Sequence, residues 1–214
     1  MSTTILLIRH GETAWNAVRR LQGHIDIPLN EEGQRQAEAL ARALAAEPLA
    51  AIVASDLRRA LQTAQAVAVH HPHAVQQDSA LRERCYGVFE GMMYADIETV
   101  YPAEFAAWQA RDVDAVMPPG ERVAESFLQF YRRSMDGIAA WAERHPGQTI
   151  AIVAHGGVLE CAYRAATGMT LDSPRDFQVK NASINRFSYA GGKLALRSWG
   201  EVAHLELAVL DDII

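Results

Sequence analysis

The chain has 214 residues, half of them hydrophobic, with 21% charged side chains and a formal net charge of -6. That suffices for one sizeable core, since single cores serve up to roughly 250 residues, and it excludes global disorder. A net negative chain lacks the basic face that sequence-independent nucleic-acid binding needs, so any anion site would need locally clustered arginines.

Thr4 to Ile8 is a short continuous apolar run, the pattern of a buried parallel strand. It is too short for a signal segment or a membrane span, and Met1 to Thr4 carry no basic residue. Two cysteines, Cys85 and Cys161, without paired-ligand spacing suit a reduced compartment. A soluble, cytoplasmic protein is expected, with no membrane or nucleic-acid partner. Asn30 is placed to cap a helix whose apolar face is Ala37, Leu40, Ala41 and Leu44. Ala50 to Ala54 reads as a second buried strand. Ser55 or Asp56 then caps a helix with Leu57, Ala60, Leu61, Ala64, Val67 and Ala68 on one face. From Gly91 to Pro146 the chain reads as mainly helical, broken at Met117-Pro118-Pro119-Gly120, with a long amphipathic helix through Phe127, Tyr131, Ile138 and Trp141. Thr149 to Ala154 is a third buried strand, and a helix from Val158 to Ala166 follows Gly156-Gly157. Asn185 to Tyr189 and Lys193 to Trp199 flank Ala190-Gly191-Gly192 as a hairpin. This alternation predicts an α/β fold, helices covering a mostly parallel sheet, in one domain over 1–214.

Two strands end in the same way, Arg9-His10-Gly11 after Ile8 and His155-Gly156-Gly157 after Ala154. Ligands of open α/β sheets bind beyond the carboxyl ends of the strands, so neighbouring strands would aim both imidazoles into one crevice. The glycines permit close approach of a ligand, and the following helix N-termini offer N–H groups to an anion. A third strand end leads into Ser55-Asp56-Leu57-Arg58-Arg59-Ala60. Cations in a helix's first turn oppose its dipole, so their presence there points to a bound anion; spacing does not choose between Arg58 and Arg59. Leu81-Arg82-Glu83-Arg84-Cys85-Tyr86-Gly87 is a charged cluster that would pass, taken alone, for a surface turn.

Arg9-His10-Gly11-Glu12-Thr13 followed by Trp15-Asn16 resembles the R-H-G-E-T/S-x-W-N signature of the histidine phosphatase superfamily, the phosphoglycerate mutase-like proteins. The likeness continues through Arg20-Leu21-Gln22-Gly23, Asp26, Pro28-Leu29, Gly33, the Ser55–Ala60 segment, Glu83–Gly87 and His155-Gly156-Gly157, with a faint echo at His204-Leu205. It implies a three-layer α/β/α sandwich of phosphoglycerate mutase-like type, with a helical cap-like insertion over roughly 91–122. It implies His10 as nucleophile, His155 as its partner, Arg9 and Arg59 as phosphate clamps and Glu83 as proton donor. Gly11, Asn16, Gln22, Gly23 and Gly156 would line the substrate pocket. No metal or cofactor is expected, the substrate would be a small phosphorylated metabolite, and a homodimer is compatible with the sequence.

The chemistry suits these residue types. Guanidinium forks match phosphoryl oxygens and keep their charge, and they disfavour imidazolium, leaving His10 neutral and nucleophilic. Covalent transfer to His10 splits one slow step in two, with the Gly11 and Gly156 amides and His155 holding the equatorial oxygens. Two other readings stand beside a phosphatase: a cofactor-dependent phosphoglycerate mutase, and a pseudoenzyme that binds a phosphorylated ligand. Against the mutase, Gly157 stands where that branch resembles H-G-N, Met93-Tyr94 stand where it carries Lys, and the Glu83–His155 interval is short for its longer insertion. Against the pseudoenzyme, His10 and Glu83 are both present. Arg122 departs from the family's P-G-G-E-S and reads as surface. His70, His71 and His73 around Pro72 read as a solvated helix end rather than a metal patch.

Overall fold

The computed structural model describes residues 1–205 and 210–211. Strand β1 (Thr3–Arg9) is followed by the short α1 (Ala14–Ala17), α2 (Glu31–Leu44), β2 (Leu49–Ala54), α3 (Arg58–Ala68) and β3 (Val75–Gln77). Then come α4 (Tyr94–Val100), α5 (Pro102–Gln109), α6 (Phe127–Glu143), β4 (Thr149–Ala154), α7 (Gly156–Thr167), β5 (Ile184–Ala190) and β6 (Lys193–Glu201). The sheet order is β3-β2-β4-β1-β5-β6. β1 to β4 pair in parallel, and the β5–β6 hairpin adds antiparallel to β1. The predicted α/β architecture and mostly parallel sheet hold.

The three layers follow from the period of two along each strand. Ile5 and Leu7 of β1, with Ile150 and Ile152 of β4, pack under Phe130, Ile138 and Trp141 of α6 and Val158 and Leu159 of α7. Leu6 and Ile8, with Ala151 and Val153, face Leu40 and Leu44 of α2 and Ala60, Ala64 and Val67 of α3. Each fully buried aliphatic side chain contributes ~1.5–3 kcal/mol, and none of these β1 residues is more than 1% exposed. A one-residue slip would exchange the two faces, so the register that aligns β1 with β4 is strongly specified.

Asn30 caps α2 as expected, accepting from the Gly33 amide at 2.7 Å. The expected cap of α3 is corrected. Its N-cap is Leu57, and the Arg58 amide donates instead to Asp26 Oδ1 at 2.6 Å, from 32 residues away. Asp56 is engaged by the Arg82 fork, both contacts being 2.7 Å. α7 begins at Gly156, two residues before the sequence reading put it, so both glycines are helical. Strand β3 escaped the sequence reading: it has three residues and no buried one. Between Gly91 and Pro146 the long amphipathic helix is α6, as expected, whereas the part before it is helical only in α4 and α5 and irregular from Ala110 to Ser126. Its aromatic side chains gather with Leu21 and Met117 in a separate cluster around Phe89 and Trp108. Among the described residues no helix is long and apolar enough to cross a membrane.

Candidate active site

β1 and β4 are neighbours, Arg9 opposite Ala154, so both strands end at the same edge. The His10 amide donates to Ala154 O at 3.0 Å, and the His10 and His155 rings lie 5.2 Å apart, edge to face at 61°. β2 pairs with β4 on the other side, which delivers the first turn of α3 to the same place. There the structure chooses between the two arginines: Arg59 is buried and Arg58 is exposed. The Arg59 fork is anchored by carbonyls, Nη1 donating to Ile25 O at 3.0 Å and Nη2 to Gly23 O at 2.8 Å.

His10 Nδ1 lies 2.7 Å from Gly11 O. A carbonyl only accepts, so the proton sits on Nδ1 and the lone pair on Nε2. Burial, then the Arg59 and Arg9 charges, hold the imidazole well below its ordinary value, against a smaller upward pull from the Gly11 bond. Burial, then Arg59 and His10, do the same to His155. Neither His155 ring nitrogen has a hydrogen-bond partner among the described residues, although the residue is fully buried. Orphaned polar atoms of that kind are costly. Burial also pulls the Arg59 guanidinium down to about 10, with Glu83 the foremost opposing charge. It stays cationic at neutral pH.

Glu83 lies across the same pocket with both oxygens on backbone amides, Oε1 to Arg84 N at 2.8 Å and Oε2 to Gly157 N at 3.0 Å. Asn16 and Thr13 cap α1 reciprocally, which turns the Asn16 carbonyl toward Thr13. Thr13 Oγ1 also donates to Gln22 Oε1 at 3.1 Å. Gly23 has φ +54, and its carbonyl is one of the two that hold Arg59.

A cavity of about 230 Å³ joins these groups, lined by Arg9, His10, Asn16, Gln22, Gly23, Arg59, Glu83 and Gly156. Eight of the ten sequence-predicted residues therefore meet there. Two are placed differently. His155 packs edge-on against His10 without lining the cavity, and Gly11 does not line it either. The Gly11 amide, expected to hold a phosphoryl oxygen, donates to Thr63 Oγ1 at 3.0 Å. Arg122 contacts Glu90 Oε2 at 3.4 Å and does not reach the cavity.

Sequence reasoning missed Trp15, Arg19, Arg20, Tyr86, Tyr94, Leu210 and Asp211 on the cavity wall. Arg20 and Tyr86 sit inside motifs that were quoted, but nothing in the sequence turned them inward. Arg19 reaches the rim through φ +53, a left-handed conformation uncommon outside glycine. Among the described residues no cluster of three His, Cys, Asp or Glu is placed to hold a metal.

The sequence profile of the histidine phosphatase superfamily (branch 1) matches residues 5–202. The chain is 35% identical over 206 residues to phosphoglycerate mutase-like protein 4 of Arabidopsis thaliana, covering 94% of this chain and 86% of that protein. It is 36% identical over 206 residues to the metal-independent phosphoserine phosphatase of the same plant, covering 95% and 83%. Among solved structures, Bacillus stearothermophilus YhfR superposes with a TM-score of 0.84 at 35% identity, over 94% of this chain and 98% of that one.

Proposed function

This chain belongs to the histidine phosphatase superfamily, branch 1, and we propose that it hydrolyses phosphomonoesters of small metabolites through a phosphohistidine on His10. The observation that carries this reading is the state of His10. It is a neutral imidazole, its proton committed to Gly11 O, on the wall of a cavity shared with Arg9, Arg59 and Glu83.

His10 Nε2 attacks phosphorus as the bond to the ester oxygen breaks, and the departing oxygen takes a proton from Glu83. Glu83 then removes a proton from water; the water oxygen attacks phosphorus, the N–P bond breaks and inorganic phosphate leaves. A phosphate dianion beside Glu83 favours its protonated acid form. Substrate binding thus prepares the acid that the first step consumes. Arg9 and Arg59 balance the equatorial charge, and Gly156, the first residue of α7, lines the same cavity. These groups supply the positive charge that a metal would otherwise bring.

Hydrolysis is favoured over transfer to a second hydroxyl by the space at Gly157. Glycine stands where the mutase pattern has asparagine, and a Cβ there would lie 2.3 Å from Glu83 Oε1 and 2.8 Å from Phe130 Cε1, so a side chain at this position would displace Glu83. The substrate's remaining atoms would meet Arg19 and Arg20 at the rim, under the stretch from Gly91 to Arg122, which we read as the cap. An acidic metabolite fits that rim. Cys85 and Cys161, buried and unpaired, accord with a cytoplasmic enzyme.

The test is phosphate release from p-nitrophenyl phosphate in EDTA by wild type and His10→Ala. Activity that survives chelation and disappears in the variant supports the reading. Activity abolished by EDTA, or untouched by the substitution, overturns it.

A further inference from the structure

Thr63 lies on α3, one turn after Arg59, fully buried and outside the cavity wall. Its hydroxyl makes two hydrogen bonds whose directions are unambiguous. Thr63 Oγ1 donates to Arg59 O at 2.8 Å, and the Gly11 amide donates to Thr63 Oγ1 at 3.0 Å. The amide belongs to the His10–Gly11 peptide, whose carbonyl is held from the opposite side. His10 O accepts from Asn181 Nδ2 at 3.0 Å and from the Ala182 amide at 3.2 Å. Ala182 makes that bond at φ +52, an uncommon conformation for a residue with a Cβ.

One peptide plane is therefore pinned at both ends. It carries the His10 Cα at one edge and leads at the other to Gly11 O, the acceptor that keeps the imidazole proton on Nδ1. Turning the plane would move the ring and loosen the contact that fixes its tautomer. We propose that Thr63 is a positioning residue that locks the His10–Gly11 peptide so that His10 Nε2 faces the cavity. It acts from the helix that also carries Arg59, so clamp and nucleophile share one register. The proposal rests on the phosphohistidine reading above.

The test is rapid quench of wild type, Thr63→Val and Thr63→Ser with p-nitrophenyl phosphate labelled in its phosphoryl group, counting acid-labile phosphate on the protein. Valine keeps the shape and removes both hydrogen bonds; serine keeps both. A misplaced reacting group costs up to about 10² in rate, so the valine variant should form phosphoenzyme about 10- to 100-fold more slowly. Because Thr63 does not touch the cavity, the substrate concentration that half-saturates the labelling rate should stay within about threefold, and serine should restore the rate. Thr63→Cys, a weaker acceptor of similar size, should fall between them and serves if the valine variant does not fold. Labelling of the valine variant at the wild-type rate, or a serine variant as slow as valine, overturns the proposal while leaving phosphohistidine chemistry standing. A wild type that turns over without acquiring acid-labile phosphate overturns both.

Discussion

The Gly157 amide donates to Glu83 Oε2 at 3.0 Å, while Glu83 Oε1 occupies the space where a Cβ on residue 157 would begin, 2.3 Å away. The backbone of Gly157 thus supplies the hydrogen bond, and its missing side chain the room for the carboxylate. Phe130 closes the other side, its ring 2.8 Å from that Cβ position, and it belongs to the core under α6. An added methyl cannot be absorbed by the ring, so the carboxylate must move. Gly157→Ala is expected to cut kcat by about 10- to 100-fold, as small displacements of a catalytic group do. The phosphorylation step should slow more for an alkyl phosphate than for an aryl phosphate, because only the former needs its leaving oxygen protonated, while phosphoenzyme hydrolysis should slow for both. A phosphorylation step slowed equally on both would mean that the substitution acts elsewhere.

Glu83→Gln keeps the size of the side chain and removes its proton chemistry. General acid–base catalysis contributes ~10²–10⁴, and the variant should slow turnover of an alkyl phosphate by that factor. With p-nitrophenyl phosphate the first step should be nearly spared, so that phosphoenzyme accumulates as its hydrolysis slows. A loss under tenfold on the alkyl substrate would remove Glu83 from the role.

The buried histidines make stability depend on pH in a definite direction. His10 and His155 are held well below the ordinary histidine value by burial and by the neighbouring arginines, and burial lowers His24 and His204 as well. In the unfolded chain they titrate near 6.5. Below that pH the unfolded state binds protons that the folded state refuses, so stability falls as pH drops from about 6.5 toward the lower folded values. Each histidine that stays neutral on folding contributes a slope of roughly 1.4 kcal/mol per pH unit in that window. The depressed carboxylates Asp56 and Glu125 lose their contribution only at still lower pH. Urea unfolding at pH 7.5, 6 and 5 should show the fall, and His155→Phe should flatten it. A wild-type curve as flat as the variant's would contradict neutral burial.

Much of this site was legible because its chemistry coincides with strand ends. Continuous apolar runs announced β1, β2 and β4, and His10, His155 and the Arg58-Arg59 pair follow them directly. Parallel pairing then made the meeting of the two histidines a matter of topology. What stayed hidden depends on contacts between distant segments. Asp26 caps α3 across 32 residues, and β3 pairs with β2 without a buried side chain of its own. Thr63 sits on the buried face of α3 among alanines, a polar residue where a core position was due, and that anomaly was the available signal. The φ of Arg19, which brings its side chain to the rim, leaves no mark in the sequence at all.

Glu90 supports the phosphate clamp from outside the cavity. Its Oε1 accepts from the His24 amide at 2.8 Å and the Tyr86 amide at 3.2 Å, and its Oε2 meets Arg122 Nη1 at 3.4 Å. The carboxylate lies against Gly23, 2.1 Å from where a Cβ would stand, and so fixes the turn whose carbonyls at Gly23 and Ile25 grip Arg59. Glu90→Ala leaves two amides without their acceptor, a cost of ~1–3 kcal/mol for each one that remains buried. It also frees the Gly23 turn. The melting temperature should fall, and inorganic phosphate should inhibit about tenfold more weakly, a difference of ~1.4 kcal/mol in binding. Glu90→Gln keeps an oxygen for the amides while removing the charge. It should recover most of the phosphate affinity if geometry is what Glu90 supplies. Competitive inhibition by phosphate, measured for both variants beside Arg59→Lys, separates the cases. An affinity lost equally in the Gln and Ala variants would instead assign Glu90 an electrostatic role toward Arg59, whose charge it helps to sustain.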